Sequence, residues 1–291
     1  STPPARVSGG KLGFRRPRIT LSLVMTANRP RFRSPKPVIA MIHVGALPGT
    51  PAHRRDLHAL EAGAVREAKI LRTAGVHGVM LENMHDTPYL RGRVGPEIVA
   101  AMAILARAVK EAVGLPCGVQ ILAGANQEAL AVAHAVGLDF IRVEGFAFAH
   151  VADEGFLQSS AAELLRYRRV LGAERVQIWA DIKKKHSAHA LTADVGLGAT
   201  AEAVEFLRGD AVIVTGRVTG EPPRPEDIAE VKQHTRLPVY VGSGLTERNL
   251  KEFEAADGFI VGSFFKKKGH WANPLDPRRV ARFMAAHREW G

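Results

Sequence analysis

Short apolar runs alternate with longer stretches of helical periodicity from Pro37 onward. The apolar runs number eight, and they cover residues 38–42, 78–81, 118–122, 140–143, 176–180, 211–214, 239–241 and 259–261. Between them apolar residues recur at three- and four-residue steps, which is typical of amphipathic helices. One such series is Leu60, Ala64, Ala68 and Leu71. Strands that alternate with helices predict parallel β–α–β units. The α/β pattern therefore predicts a closed (β/α)₈ barrel, with a doubly wound open sheet as the main alternative.

The connections differ in length according to which end of a strand they follow. Long loops follow five of the predicted strands, over residues 43–57, 82–94, 144–160, 181–198 and 215–224. The helix-to-strand turns are short and contain Gly or Pro, which end helices and begin strands. In a (β/α)₈ barrel the long strand-to-helix loops build the ligand site. We therefore expect a small-molecule site at the carboxyl ends of the strands.

The charge of the chain is concentrated at one end. The formal net charge is +11, and residues 1–36 hold nine basic residues and no acidic one. The remainder carries 31 basic and 29 acidic side chains, so no overall basic field attracts a nucleic acid. An Arg-rich segment without Asp or Glu is typical of a mitochondrial transit peptide, and a disordered basic tail is the alternative. The sequence predicts a leader over residues 1–36 and one barrel domain over residues 37–291. We expect a location in the mitochondrial matrix, or otherwise in the cytoplasm.

Cysteine usage and hydropathy exclude several further classes. Cys117 is the only cysteine, so a disulfide within the chain and a Cys-based zinc site are both excluded. Its place at the start of a predicted strand indicates a buried structural thiol. No apolar run approaches the roughly 20 residues that span a bilayer. We expect no membrane span, and a homo-oligomer is compatible with the sequence.

Small residues directly follow the last two predicted strands. Gly242, Ser243 and Gly244 follow the seventh strand, and Gly262 and Ser263 follow the eighth. Small residues let backbone N–H groups approach an anion, and many barrels bind phosphate in the loops after strands seven and eight. These residues predict a site for the phosphate group of a small ligand. Tight turns that need glycine are the alternative.

Titratable and polar side chains gather at the same predicted rim. The candidates for catalysis are His43, Glu82, Glu144, Asp181, Lys185 and His186. The further candidates for substrate binding are Asn83, Asp86, Asn126, Thr215 and Arg217. Carboxylates there could act as general acids and bases, hold a divalent cation or bind sugar hydroxyls. A desolvated Lys185 could bind an anion or form a Schiff base. The alternatives are ion pairs with Arg142 or Arg217, helix caps and a solvated lysine run.

From residue 37 to the C-terminus the chain resembles the BtpA family, also called the BtpA/SgcQ family. The resemblance lies in residues 41–43 with 46–49, 79–83, 139–143, 180–181 with 185–187, 241–244 and 257–263. It implies a TIM-barrel fold related to the ribulose-phosphate-binding barrels. Family members are linked to photosystem I assembly in cyanobacteria and to sugar utilisation in bacteria. Bacterial relatives tend to carry an Arg-Asn-Asp cluster after the third strand, where this chain has Ala-Gly-Ala-Asn at residues 123–126. The basic leader suggests a eukaryotic, organellar member.

Two functions follow from these observations. The first is an enzyme that acts on a small phosphorylated sugar-like or nucleotide-like metabolite by acid–base chemistry. The second is a non-catalytic assembly or stability factor that uses the barrel as a scaffold, because fold alone does not determine function. Nucleic-acid binding through the leader ranks last. No organic cofactor is expected, and a divalent cation is compatible with the acidic residues.

Overall fold

A computed structural model describes residues 30–216 and 218–290. In chain order its strands are β1 Val38–His43, β2 Gly78–Glu82, β3 Cys117–Gln120, β4 Phe140–Val143, β5 His150–Ala152, β6 Gly155–Leu157, β7 Gln177–Ile182, β8 Ser187–Ala188, β9 Ala211–Val214, β10 Val239–Val241 and β11 Gly258–Val261. Eight of them close into a parallel barrel in the order β1-β11-β10-β9-β7-β4-β3-β2. The predicted (β/α)₈ barrel is therefore confirmed, and the open-sheet alternative is excluded.

An outer ring of helices surrounds the barrel. In the described part of the chain the α-helices are α1 Leu57–Ala74, α2 Pro96–Val113, α3 Asn126–Val136, α4 Ala161–Leu171, α5 Leu197–Phe206, α6 Pro225–His234 and α7 Pro277–Trp290. The Asp56 side chain begins α1 by accepting a hydrogen bond from the Ala59 amide at 2.7 Å. Between β10 and β11 the repeating pattern breaks, because this connection contains only a 3₁₀ turn, Leu250–Phe253. None of the described helices is long and apolar enough to cross a bilayer.

Side chains along each barrel strand alternate between two cores. In β1, Val38, Ala40 and Ile42 belong to the core between barrel and helices, whereas Ile39 and Met41 belong to the core inside the barrel. This two-residue period is the normal geometry of a strand. Toward the carboxyl ends of the strands, the inward-facing series changes from apolar to polar. The polar residues that continue it are His43, Glu82, Arg142 and Asp181.

Stacked aromatic rings fill the lower part of the barrel. The rings of Phe140 and Trp179 stack with centroids 3.9 Å apart, and Trp179 stacks on Tyr240 at 4.3 Å. A glycine at position 118 is required here, because a Cβ atom would lie 2.2 Å from the Phe140 ring. Phe32 packs against the same cluster, 6.2 Å from Trp179. The barrel interior is therefore packed below its mouth, which restricts ligands to the carboxyl end.

Residues 30–36 belong to the folded body, although the sequence assigns them to the leader. The Lys36 ammonium lies 4.7 Å from the centre of the Trp290 ring. The His287 Nε2 and the Lys36 carbonyl oxygen are 2.8 Å apart, in a hydrogen bond. Together with Phe32, these contacts move the start of the folded part upstream of the predicted boundary at residue 36. Residues 1–29, which carry the rest of the predicted leader, lie outside the described residues.

Two of the long loops form a small sheet instead of irregular structure. β5 pairs antiparallel with β6 and with β8, which joins the loop after β4 to the loop after β7.

Two strands end at residues other than those predicted: β3 ends at Gln120, two residues earlier than predicted, and β7 extends past residue 180 to include Asp181. The predicted buried thiol is confirmed, since Cys117 is fully buried and unpaired.

Candidate functional site

A cavity of about 230 Å³ lies at the carboxyl ends of the barrel strands. Ligand pockets for drug-sized molecules are typically about 300–1,000 Å³, so this volume suits a compact metabolite. The predicted site residues that line it are His43, Glu82, Lys185, Gly242, Ser243, Gly244, Gly262 and Ser263. The structure therefore brings together residues from five separate parts of the sequence. Thr219, in the long loop over residues 215–224 that was expected to border the site, lines the cavity as well. Sequence reasoning did not assign Arg142, Thr246 or Arg279 to the site, and all three line the same cavity.

Arg142 and Asp181 form a buried ion pair beneath the mouth. The Arg142 Nε donates to both Asp181 oxygens at 3.2 and 3.1 Å, and its Nη2 donates to Oδ1 at 3.0 Å. Burial lowers the pKa of Arg142, but the carboxylates of Asp181 and Glu82 outweigh it and raise that pKa. Because the guanidinium holds both carboxylate oxygens, Asp181 is a partner of Arg142 and does not line the cavity.

Glu144 and Lys184 form the second buried ion pair, and neither of them lines the cavity. The Lys184 Nζ lies 3.2 Å from the Glu144 carboxylate and 3.6 Å from that of Glu154. Burial lowers the pKa of Lys184, but the two carboxylates outweigh this effect and raise it, so the ammonium stays charged. The pair joins the end of β4 to the loop after β7. Glu144 thus fixes the loop that carries Lys185.

Glu82 and His43 meet at the ends of neighbouring strands. The His43 Nε2 lies 3.4 Å from the Glu82 carboxylate, and its Nδ1 lies 3.2 Å from the Trp271 carbonyl oxygen. Burial, and then the Lys266 charge, lower the pKa of His43 to about 3, so the imidazole is neutral. Burial raises the pKa of Glu82, although Arg142 opposes the change.

The tautomer of His43 follows from these contacts. A carbonyl oxygen only accepts, so Nδ1 carries the proton and Nε2 presents its lone pair to Glu82. Such a contact is attractive when Glu82 is protonated, which agrees with the raised pKa of its carboxyl group. One proton therefore lies between the Glu82 carboxyl group and the His43 Nε2, beside the cavity.

Lys185 enters the cavity from the loop after β7. Burial, and then the Arg142 charge, lower the pKa of its ammonium. The loop is held in an unusual shape, since Lys183 and His186 adopt positive φ angles of 48° and 54°. The Lys183 Nζ donates to the Thr192 carbonyl oxygen at 2.8 Å, which anchors one end of the loop. The three consecutive lysines therefore point in different directions: Lys183 to Thr192, Lys184 to Glu144 and Lys185 into the cavity.

The small residues after β10 and β11 border one side of the cavity. Among the described residues, no acceptor takes a hydrogen bond from the backbone N–H groups of Gly244, Ser263 and Phe264. Arg279 of α7 adds a positive charge, with its guanidinium carbon 4.2 Å from the centre of the Phe264 ring. Free amides and a fixed guanidinium together make a cradle suited to an anion. We call these residues the anion cradle: Gly242, Ser243, Gly244, Gly262, Ser263, Phe264 and Arg279.

The Ser243 side chain has a structural task within this cradle. Its hydroxyl donates to the Glu221 carbonyl oxygen at 2.7 Å and accepts from the Gly216 amide at 2.9 Å. Gly244 combines a φ of +67° with close packing, because a Cβ atom there would lie 2.0 Å from the Pro222 nitrogen. The turn is therefore shaped by its contact with the loop after β9, and it offers an anion its backbone and not its hydroxyl.

Three of the predicted binding residues hold loops together outside the cavity. The Asn83 Nδ2 donates to Asp86 at 2.8 Å, and the Asn83 Oδ1 accepts from the Leu122 amide at 2.8 Å. The other Asp86 oxygen accepts from the Leu47 amide at 2.8 Å. The Asn126 Nδ2 donates to the Glu144 carbonyl oxygen at 2.8 Å. These contacts connect the loops after β1, β2, β3 and β4 beneath the rim.

The other predicted residues lie around the cavity. The exposed His186 uses Nε2 to accept from the Thr219 amide at 3.1 Å, and Thr219 lines the cavity. His186 therefore ties the loop after β7 to the loop after β9. The Thr215 hydroxyl is buried without a partner in the described part of the chain and does not line the cavity. Arg217 lies outside the described residues. No three His, Cys, Asp or Glu side chains among those described are grouped to hold a metal ion.

The closed barrel and its cavity define a TIM barrel with a site at the carboxyl ends of its strands. The chain is similar in fold to orotidine 5'-phosphate decarboxylase from Pyrococcus horikoshii OT3, with a TM-score of 0.54 and 16% identity. That similarity covers 86% of this chain and 99% of the other. At this identity it shows the fold alone.

The chain belongs to the BtpA family, whose model matches residues 34–289. It is 45% identical to an uncharacterised mitochondrial protein of Caenorhabditis elegans, over 92% of this chain and 96% of that protein. It is 35% identical to the photosystem I biogenesis protein BtpA of Synechocystis sp., over 89% of this chain and 90% of that protein. The family resemblance noted in the sequence is thus confirmed.

Proposed function

We propose that the chain is an enzyme that acts on a small phosphorylated sugar-like or nucleotide-like metabolite by acid–base chemistry. One observation carries the proposal: a single small cavity has the anion cradle on one side and Glu82, His43 and Lys185 on the other. A phosphate bound by the cradle would hold the rest of the ligand against these three groups. Restricting a reactant in this way is a large part of catalysis.

Glu82 and His43 have distinct parts in the proposed proton transfer. Burial raises the pKa of Glu82, which favours the protonated carboxyl group that a general acid requires. The neutral His43 accepts a hydrogen bond from the protonated Glu82 carboxyl group through Nε2 and so orients that group. The Arg142 charge stabilises the ionised form of Glu82, which helps the carboxyl group to give up its proton. Asp181 and Glu144 act through the ion pairs that position these residues.

The proposal is tested by ligand binding to the purified chain. A panel of phosphate monoesters and their dephosphorylated counterparts would be compared by thermal shift and calorimetry. We expect at least one phosphate ester to bind, and its dephosphorylated counterpart to bind at least about tenfold more weakly, a difference of about 1.4 kcal/mol. The absence of binding by any phosphate ester would contradict the proposal.

Two variants locate the binding within the cavity. Arg279→Ala removes the cradle's guanidinium, and Arg278→Ala removes an exposed neighbour in the same helix turn. We expect only the first to weaken phosphate-ester binding. Gly262→Ala places a methyl group 3.3 Å from the His43 Nε2 without changing charge. It is expected to weaken binding by narrowing the cavity.

The second candidate function is that of an assembly or stability factor. The name of the Synechocystis relative, a photosystem I biogenesis protein, favours it. A scaffold would keep its cellular role when Glu82 is changed to Gln and lose it when exposed residues of the outer helices are changed. The enzyme proposal predicts the opposite pattern, and the P. horikoshii decarboxylase, whose name includes a phosphorylated substrate, supports it by analogy of fold.

We also propose a location in the mitochondrial matrix. The C. elegans relative is described as mitochondrial, and residues 1–36 hold nine basic and no acidic residues. The test fuses the chain to a fluorescent protein and compares it with a version in which the basic residues of 1–29 are changed to Gln. Mitochondrial fluorescence lost in the second version supports the proposal. Identical distributions of both versions contradict it.

A further inference from the structure

Two buried ion pairs at the barrel mouth leave Lys185 without an ionic partner among the described residues. Arg142 is held by Asp181, and Lys184 is held by Glu144 and Glu154. In residues 30–216 and 218–290 the Lys185 ammonium has no hydrogen-bond acceptor and no carboxylate within ion-pair distance. It nevertheless lines the small cavity, close enough to Arg142 and Glu82 to feel both charges. A lysine placed this way is unusual, because desolvated ammonium groups are normally paired.

The fold holds Lys185 in this position at some conformational cost. Non-glycine residues with positive φ are uncommon, and they flank the Lys184–Lys185 pair on both sides, at Lys183 and His186. The chain is anchored at three places nearby. These anchors are the Lys183 bond to Thr192, the Lys184 ion pairs and the His186 bond to Thr219. These anchors on the neighbouring residues hold Lys185 in the cavity, and none of them uses the Lys185 amine.

We propose that Lys185 is a Schiff-base nucleophile that captures the carbonyl group of a phosphorylated aldehyde or ketone. The inference rests on the proposed function, since the anion cradle would bind the ligand's phosphate, and it narrows the substrate class to carbonyl compounds. The amine lies in the same cavity as the cradle and beside a proton donor, Glu82. Burial and the Arg142 charge favour the neutral amine, which is the nucleophilic form.

The step needs only the Lys185 amine, the carbonyl compound and Glu82. The Lys185 nitrogen attacks the carbonyl carbon, a C–N bond forms, and the carbonyl π electrons move to oxygen. Transfer of a proton from nitrogen to that oxygen gives a carbinolamine. Glu82 then protonates the hydroxyl group, the C–O bond breaks, and water leaves as the nitrogen lone pair forms the iminium. The carboxylate that remains is stabilised by Arg142 and by the new positive charge. Addition of water reverses the sequence and regenerates both groups.

The test traps the iminium in the full-length wild-type chain. Dihydroxyacetone phosphate and dihydroxyacetone serve as probes, each with sodium cyanoborohydride, which reduces an iminium to a stable secondary amine. Intact mass spectrometry and peptide mapping then locate the adduct. We expect Lys185 to be labelled at neutral pH at least about tenfold faster than exposed lysines, whose amines are almost fully protonated there. Lys185→Met is expected to lose this labelling, and the exposed Lys267→Met to keep it.

The outcomes separate this inference from the proposed function. Preferred labelling of Lys185 by both probes supports it, and a faster rate with dihydroxyacetone phosphate also supports the cradle. Labelling of Lys185 at equal rates by both probes upholds the Schiff base and contradicts the phosphate site. Binding of dihydroxyacetone phosphate, measured by calorimetry, without any preference for Lys185 overturns the inference and leaves the cradle intact. If dihydroxyacetone phosphate neither binds nor labels Lys185 preferentially, both the Schiff base and the phosphate site are overturned. Because the adduct is mapped in the wild-type chain, the result does not depend on the folding of a variant.

Discussion

Arg142 and Asp181 meet inside the barrel mouth with three hydrogen bonds, and both side chains are almost completely buried. The pair occupies the layer directly above the stacked aromatic rings, where the inward-facing series of β4 and β7 changes from apolar to charged. It thus separates the packed interior from the cavity. Glu82 feels the Arg142 charge, so the pair also sets the electrostatics of the proposed acid.

Removal of one partner of this pair is expected to destabilise the fold strongly. Arg142→Met leaves Asp181 buried without its counter-ion, which costs about 3–5 kcal/mol in comparable cases. Arg107→Met is the matched control, because the Arg107–Glu111 pair is exposed and such pairs contribute about 0–1 kcal/mol. Urea unfolding of both variants measures the difference. Equal free energies of unfolding would contradict the role given to the buried pair.

Replacement of Glu82 by Gln is expected to have a pH-dependent effect on stability. The unfolded glutamate ionises near its ordinary pKa of 4.5, whereas burial raises the pKa in the folded protein. Between these values the folded state holds a proton that the unfolded state releases, so the stability of the wild type falls as pH rises through that window. The Glu82→Gln protein lacks this loss of stability, because its residue 82 does not ionise. Its free energy of unfolding, relative to wild type, should therefore increase with pH and then level off.

The measurement for Glu82 is the difference between the two proteins at each pH. His43 has a lowered pKa of about 3 and so destabilises the fold as pH falls below 6.5, in the opposite direction. This contribution is present in both proteins and largely cancels in the difference. A difference that stays constant from pH 4 to pH 8 would show that the folded Glu82 titrates normally.

Loss of the His186 ring is expected to release the loop that carries Thr219. The ring nitrogen accepts the Thr219 N–H, so His186→Ala removes the acceptor and should accelerate hydrogen exchange at that amide several-fold. Protonation of the ring has the same effect, because the nitrogen then no longer accepts. His58→Ala, an exposed histidine of α1, is the control and should leave exchange at Thr219 unchanged. Unaltered exchange at the Thr219 amide in the His186 variant would contradict the role of this hydrogen bond in holding the loop.

Cys117 is expected to resist alkylation in the native protein. Burial raises the pKa of its thiol to about 12, so the reactive thiolate is scarce at pH 8 and the sulfur is shielded. Iodoacetamide should label it at least about a hundredfold more slowly than in denaturant, where the thiol is exposed. Rapid labelling of the folded chain would indicate that the start of β3 opens readily.

The barrel was predictable because its strands carry two independent signals. The runs are apolar enough to be buried on both faces, and the connections show long loops after five strands and short turns between helices and strands. The same two-residue alternation also points Arg142 inward, since it follows Phe140 by two positions, yet sequence reasoning treated Arg142 only as a partner for acids. Applied consistently to β4, the alternation would have placed it beside the cavity.

The remaining differences concern side-chain direction and loop structure. Asn83 and Asn126 have the residue type and position expected of ligand-binding groups, but amides at a rim satisfy a neighbouring loop equally well. Only three-dimensional packing separates the two roles. Arg279 reaches the cavity from the last helix, and no strand-end pattern marks it. The small sheet of β5, β6 and β8 has no strong periodicity of its own and arises where two long loops meet.

The most direct test of the account is a crystal structure of the chain grown without phosphate or sulfate and then soaked with dihydroxyacetone phosphate. We expect phosphate density in the anion cradle, within hydrogen-bond distance of the Gly244 and Ser263 amides, with the carbonyl end directed toward Lys185 and Glu82. An empty cavity at saturating ligand, or phosphate bound only elsewhere on the surface, would contradict it.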